Sequence, residues 1–272
     1  MKFGFIGTGS MGSILIESLI RSGALLPQQI VASNRTASKA ERLAQLHPGL
    51  QAANTNVDVA RQCSVIFLCI KPAEFKNVID EIKDHTTASQ IAVSITSPVL
   101  IRHLEDRLPC KIAKIIPSIT NFVKCGPTIC MYGSRLSDDE IEQLESLLAR
   151  FSRPIRVSEQ YTRITSDISS CGPAFFANLL QSFIAAAVQE TGIPEDQATI
   201  LACEMLLGTG KLLTTGGFNP ESLQQRVAVP GGITAEGLKL MDEELHGIFN
   251  RLFRITHAKY EEDVDKASSS LS

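Results

Sequence analysis

The segment "KFGFIGTGSMG" (residues 2–12) sets an apolar run directly against three glycines spaced Gly-x-Gly-x-x-Gly. The following "SILIESLIRSG" (13–23) carries apolar residues at helical spacing up to a glycine stop. A short strand, a glycine turn and a helix, in that order, predict a phosphate-binding turn rather than a simple reversal of the chain. In that reading Gly7 permits the turn, Gly9 lets backbone approach a pyrophosphate, and Gly12 lets helix and strand pack closely. Thr8, Ser10 and Met11 complete the loop, and the N–H groups of the first helical turn face the phosphates.

Working outward, "QIVAS" (29–33), "SVIFLCI" (64–70), "QIAVSI" (90–95) and "KIAKII" (111–116) read as further strands, separated by helical patterns. Nearly continuous apolar runs suit strands buried on both faces of a parallel sheet, so the first half is an α/β doubly wound pattern. After "RPIRVSE" (153–159) only helical patterns remain, over 161–170, 173–191, 194–215 and 234 to about 264. The expected division is a nucleotide-binding domain over 1–159 and an all-helical domain over 160–272, with the polar tail "KASSSLS" frayed.

The second strand runs into Ser33-Asn34-Arg35, where a site for NAD usually places Asp or Glu on the ribose 2′-hydroxyl. Arg35 can pair with a 2′-phosphate, and Ser33 and Asn34 can donate hydrogen bonds to it. The expected cofactor is therefore NADPH. The alternative is a solvated arginine at a helix start.

The 272-residue chain is 44% hydrophobic and 20% charged with a formal net charge of −3, an ordinary soluble composition without a basic cluster, so nucleic acid is not an expected partner. No secretory pattern opens the chain, and the apolar stretch "FFANLLQSFIAAAV" (175–188) is shorter than a bilayer span, so a cytoplasmic location and no membrane partner are expected. The seven cysteines are scattered without a Cys-x-x-Cys pair and the five histidines are dispersed, so reduced packing thiols and no metal are expected.

With "GFIGTGSMG", "SNR", "TNVDVARQCSVIFLCIKP", "SSCGPAF" and "PGGIT" in order along nearly its full length, the sequence resembles the pyrroline-5-carboxylate reductase family. The stretches "SITSPV", "IPSITN" and "SDISSCGPAF" look more like a divergent branch of it encoded in bacterial late-competence operons. The resemblance implies a Rossmann domain followed by a helical domain that interleaves with a second subunit, hence a homodimer or higher homo-oligomer. It implies hydride transfer from NAD(P)H to the C=N carbon of 1-pyrroline-5-carboxylate, a small anionic imine, yielding proline. Asn56 would contact the adenosine side, and Ile70, Lys71 and Pro72 the pyrophosphate and nicotinamide region.

A cyclic imine bearing a carboxylate also needs donors for its acid group and a partner at nitrogen. The turn in "VPGGITAEGL" (229–238) offers the backbone of Gly231, Gly232 and Ile233 for the carboxylate. Thr234 offers a hydroxyl that both donates and accepts at the nitrogen, the expected catalytic contact, although it could instead cap the following helix. No histidine is well placed as an acid, so the proton comes from water or arrives with the substrate.

Two motifs depart from the family pattern. Val229 stands where members usually read serine in SPGGTT, and "IPSITN" replaces MPNTP, with Ser118 at the asparagine and Thr120 at the second proline. The changes leave open a dinucleotide-binding protein with a regulatory role in competence. They also leave a β-hydroxyacid dehydrogenase, for which Lys211 is the candidate although Thr215 replaces the asparagine expected four residues on.

Overall fold

Strand β1 (Phe3–Ile6) is buried throughout, as are β2 (Ile30–Ser33), β4 (Val65–Leu68) and β5 (Ile91–Ser94), the outcome anticipated from their unbroken apolar runs. In the computed structural model, which describes residues 1–271, they join β3 (Gln51–Ala52), β6 (Lys111–Ile116), β7 (Pro127–Tyr132) and β8 (Arg153–Arg156) in one sheet ordered β3-β2-β1-β4-β5-β6-β7-β8. All pairings are parallel except β6 with β7. Strand order reverses between β1 and β4, which makes their carboxyl ends the switch point of a Rossmann-like sheet.

Each sheet face has its own core. On one, Phe5 and Phe67 stack at 4.7 Å beneath α1 (Ser10–Arg21), α2 (Ala37–Leu46) and α6 (Asp138–Leu148), which contribute Leu15, Leu43 and Leu144. The opposite face sets Ile66 and Leu68 against α3 (Asn56–Gln62), α4 (Phe75–Ile82) and α5 (Ile101–Glu105). Lys114 of β6 is wholly buried, with Nζ 2.9 Å from Oε1 of Glu159. Burial pulls its pKa down while Glu159 pushes it back up.

Beyond β8 the chain is helical: α7 (Thr162–Ser166), a widened turn at Asp167–Cys171, α8 (Gly172–Thr191), α9 (Glu195–Thr214), α10 (Pro220–Val227), α11 (Ile233–Glu244) and α12 (Ile248–Leu271). The compact units are Met1–Pro173 with Ile255–Ser272, and Ala174–Arg254. Secondary structure thus changes character near residue 160, whereas the units divide at Pro173 and again after Arg254.

The sequence reading needs four corrections. The two-residue β3 and the antiparallel β7 were not expected; β7 is entered through left-handed Lys124 (φ 55°) and Gly126 (φ 79°). The helix expected over 234–264 is two helices, broken at Gly247 (φ 71°). Helix α10 was also missed, although Asn219 caps it through the Ser222 N–H at 2.8 Å and Pro220 begins it. The tail is not frayed as far as Leu271: Ala267 and Leu271, one turn apart, are buried in the sheet core while serines take the other positions.

Within the helical unit, Phe176, Phe183, Leu201, Met205 and Ile233 are exposed. The continuous helical stretch Glu159–Thr191, 33 residues, is long and apolar enough by length and composition to cross a membrane, so the apolar segment is part of a longer helical run than its 14 residues implied.

Candidate nucleotide cleft and substrate turn

The three glycines of the opening segment meet three different constraints. Gly7 has φ +99°, and a Cβ there would overlap the carbonyl oxygen of Cys69 at the end of the neighbouring strand. A Cβ on Gly12 would overlap the carbonyl oxygen of Gly7, so this glycine brings α1 against the turn. Gly9 differs: it has ordinary backbone angles (φ −74°) and a Cβ there would meet nothing within 4 Å. It is glycine beside open space. As the N-cap of α1 it supplies no side chain, and no acidic residue sits in the first turn, so the N-terminal N–H groups keep their positive field.

That space is a cleft of about 190 Å³ at the carboxyl ends of β1, β2 and β4. Of the residues expected at a cofactor, Gly7, Gly9, Asn34, Arg35, Asn56, Ile70 and Lys71 line it. Sequence reasoning missed Ile6, Thr36, Lys39, Cys69, Glu74 and Val78 on its walls. Thr8 and Ser10 line an adjoining groove with Lys39 and Arg42. Met11 is half-buried, and Pro72 starts the turn Pro72–Glu74.

The hydrogen bonds show how Ser33 and Asn34 are held. The Ser33 hydroxyl, buried, donates to Oδ1 of Asn56 at 2.7 Å, and Nδ2 of Asn56 donates to Glu81 at 2.6 Å. Ser33 therefore ties β2 to α3 through Asn56. Asn34 accepts from the backbone N–H of Thr8 at 2.9 Å and donates to the carbonyl of Thr36 at 3.1 Å, so it holds the glycine loop against the end of β2. Arg35 carries the exposed charge of the three, with Nη1 2.7 Å from Oε1 of Glu74. Thr96 fixes the Ile70 loop by donating to the Ile70 carbonyl at 2.8 Å. Burial pushes the Cys69 thiol up to about 12, so it is a neutral wall and no nucleophile.

The second cluster joins "IPSITN" to "SSCGP". Ser118, wholly buried, donates to the Ser169 carbonyl at 2.8 Å, and Ser170 donates to the Pro117 carbonyl at 2.9 Å. Thr120 donates to the Ser118 hydroxyl at 2.9 Å. The residue at the family's asparagine position thus serves a packed hydrogen-bond chain.

The glycine turn before α11 belongs to the unit Ala174–Arg254, and the cleft-lining residues to the unit that begins at Met1. Gly231 has φ +72°, and the Gly232 N–H donates to the Val229 carbonyl at 2.9 Å. Gly232 is the N-cap of α11, so Thr234, exposed in the first turn, is not the cap that the alternative reading allowed. Among the described residues no cluster of three or more His, Cys, Asp or Glu could hold a metal.

Residues 159–263 match the family described as pyrroline-5-carboxylate reductase dimerisation, and residues 2–98 the one described as NADP oxidoreductase, coenzyme F420-dependent. ComE operon protein 4 of Bacillus subtilis is 39% identical over 264 residues, 97% of each chain. The chain belongs to the pyrroline-5-carboxylate reductase family. A second relative, pyrroline-5-carboxylate reductase 3 of Macaca fascicularis, is 30% identical across 89% of this chain and 88% of its own. The fold is shared with the Plasmodium falciparum pyrroline carboxylate reductase crystallised with NADP bound, at 22% identity and a TM-score of 0.81 over 100% of this chain and 98% of that one.

The family assignment makes the protein an oxidoreductase of the NADP-binding type that acts on C=N, with a dimerisation-type helical region. It leaves Lys211 without the role a hydroxyacid dehydrogenase would give it; that lysine sits in the last turn of α9, where its carbonyl accepts from Thr215.

Proposed function

We propose that the protein reduces a small cyclic imine carboxylate with NADPH, most simply 1-pyrroline-5-carboxylate to proline, as a cytoplasmic homodimer or higher homo-oligomer. The observation that carries the reading is Gly9, whose missing side chain is explained by no protein atom, on a cleft that also holds Arg35, Lys39 and the start of α1. When bound, the reduced nicotinamide supplies the hydride. Arg35 offers a 2′-phosphate a planar fork of donors. Asn34, Asn56 and Thr96 hold the loops on which the cofactor rests, and Ile70 and Lys71 form the wall beyond the pyrophosphate.

At the substrate, the N–H of Ile233 at the start of α11 suits the carboxylate, since the Gly232 cap carries no side chain to compete for it and its own N–H is turned to Val229. Thr234 presents its hydroxyl to the ring nitrogen, and the proton comes from water or with the iminium. The exposed apolar residues of α8 and α9 match a second copy of this chain, because residues 159–263 follow the dimerisation family.

The direct test follows NADPH oxidation with 1-pyrroline-5-carboxylate. Turnover with proline as product is the expected result. Tight NADPH binding without turnover would favour the second reading, a nucleotide-binding protein of competence. That reading draws on the 39% relative and on Ser118, whose hydroxyl is committed to Ser169.

The Gly9→Ala variant separates fold from binding. Its backbone angles suit alanine and its Cβ meets nothing, so stability should stay within about 0.5 kcal/mol of the parent. The added methyl occupies the phosphate approach, so NADPH affinity should fall about tenfold or more, ~1.4 kcal/mol. Thermal melts beside fluorescence titration check both halves. Equal affinity in the variant would remove the pyrophosphate from this turn.

A further inference from the structure

The cleft is walled by Arg35, Lys39 and Lys71, and among the described lining residues Glu74 is its one acid. Arg35 leaves the end of β2 and Glu74 closes the turn after β4, thirty-nine positions on, yet their side chains meet at 2.7 Å. Glu74 is held there by its own N–H, which donates to the Lys71 carbonyl at 2.9 Å, and by the fully buried Phe75 that follows it. The arginine is 83% exposed and the glutamate 36%, so the pair is loose enough to exchange partners.

We propose that Glu74 is a nucleotide-selectivity residue: it occupies the Arg35 guanidinium that a 2′-phosphate requires and so weakens the preference for the phosphorylated cofactor. The proposal rests on the nucleotide reading of this cleft. A 2′-phosphate taking both arms of Arg35 displaces the carboxylate, which stays anchored by its turn within a Debye length of about 8–10 Å and repels the dianion. A ribose 2′-hydroxyl is uncharged, leaves the ion pair in place and can itself donate to the carboxylate. Arg35 favours the phosphorylated nucleotide and Glu74 opposes it; their balance, not Arg35 alone, sets the choice.

Calorimetric titration of the full chain with NADPH, NADH, 2′,5′-ADP and 5′-AMP, for the parent and Glu74→Gln, tests this. Glutamine keeps the length and one acceptor oxygen but drops the charge. Kd for NADPH and 2′,5′-ADP should fall about three- to tenfold, those for NADH and 5′-AMP should move less than about twofold, and the gain should shrink in high salt. Unchanged affinity for 2′,5′-ADP, or an equal change in all four ligands, overturns the role of Glu74 while leaving the cleft a nucleotide site. If the parent binds none of the four, the nucleotide reading fails and this role with it.

Discussion

Replacing Thr234 by alanine is expected to lower kcat by roughly 10²-fold or more, the scale of a lost preorganised donor. If the hydroxyl meets the substrate nitrogen only as charge changes there during hydride transfer, kcat and kcat/KM should fall together, with KM little altered. The position of the residue makes the experiment clean. Gly232, not Thr234, caps α11, and Thr234 is an exposed first-turn residue where alanine is the better helix former. A thermal midpoint that stays put beside a collapsed kcat assigns the loss to chemistry. Thr234→Ser, which keeps the hydroxyl, should recover most of the rate. Full activity in the alanine variant would take the catalytic contact away from this residue.

The opening glycines could be read because each constraint on them is local: the turn, the open approach and the helix contact lie within a few residues of one another or on the adjoining strand end. The same holds for the apolar strands, whose burial on both faces leaves a continuous hydrophobic signature. Glu74 and Lys39 were out of reach for the opposite reason. They join the cleft because β1, β2 and β4 end side by side, and spacing along the chain does not reveal that. The partner of the Ser33 hydroxyl, Asn56 at 2.7 Å, is twenty-three positions away and equally invisible to spacing. Lys114, in the middle of "KIAKII", passes for a strand residue facing solvent, and only Glu159, forty-five positions on, makes its burial tolerable. The tail was misread for a compositional reason, since three consecutive serines conceal Ala267 and Leu271 at helical spacing.

The largest stability effect is expected at Asp167, because its carboxylate is completely buried and joined to two elements. Oδ1 lies 2.8 Å from Nη2 of Arg163, and Oδ2 accepts from the hydroxyl of Thr256 at 2.7 Å, linking the widened turn after α7 to α12. Asp167→Ala removes the counter-charge of an arginine that is only 15% exposed and whose Nε is already buried without a partner. What remains around that guanidinium is the Cys171 sulfur at 3.2 Å and the Tyr260 ring at 5.8 Å, neither of them anionic enough to replace a carboxylate. Breaking a buried pair from one side costs about 3–5 kcal/mol, which at a urea slope of about 2–3 kcal/mol/M moves the unfolding midpoint down by roughly 1–2 M. Asp167→Asn, which retains hydrogen-bonding atoms, should lose less. The double change Arg163→Met with Asp167→Leu removes both charges and should regain most of the loss, since the penalty comes from the stranded guanidinium rather than from the missing attraction. The consequence reaches the geometry of this turn: Ser169 and Ser170, two and three residues beyond Asp167, carry the hydrogen bonds to Ser118 and Pro117 at the end of β6. A midpoint unchanged by Asp167→Ala would mean that the hydrogen bonds of Ser118 and Ser170 hold the turn without the ion pair.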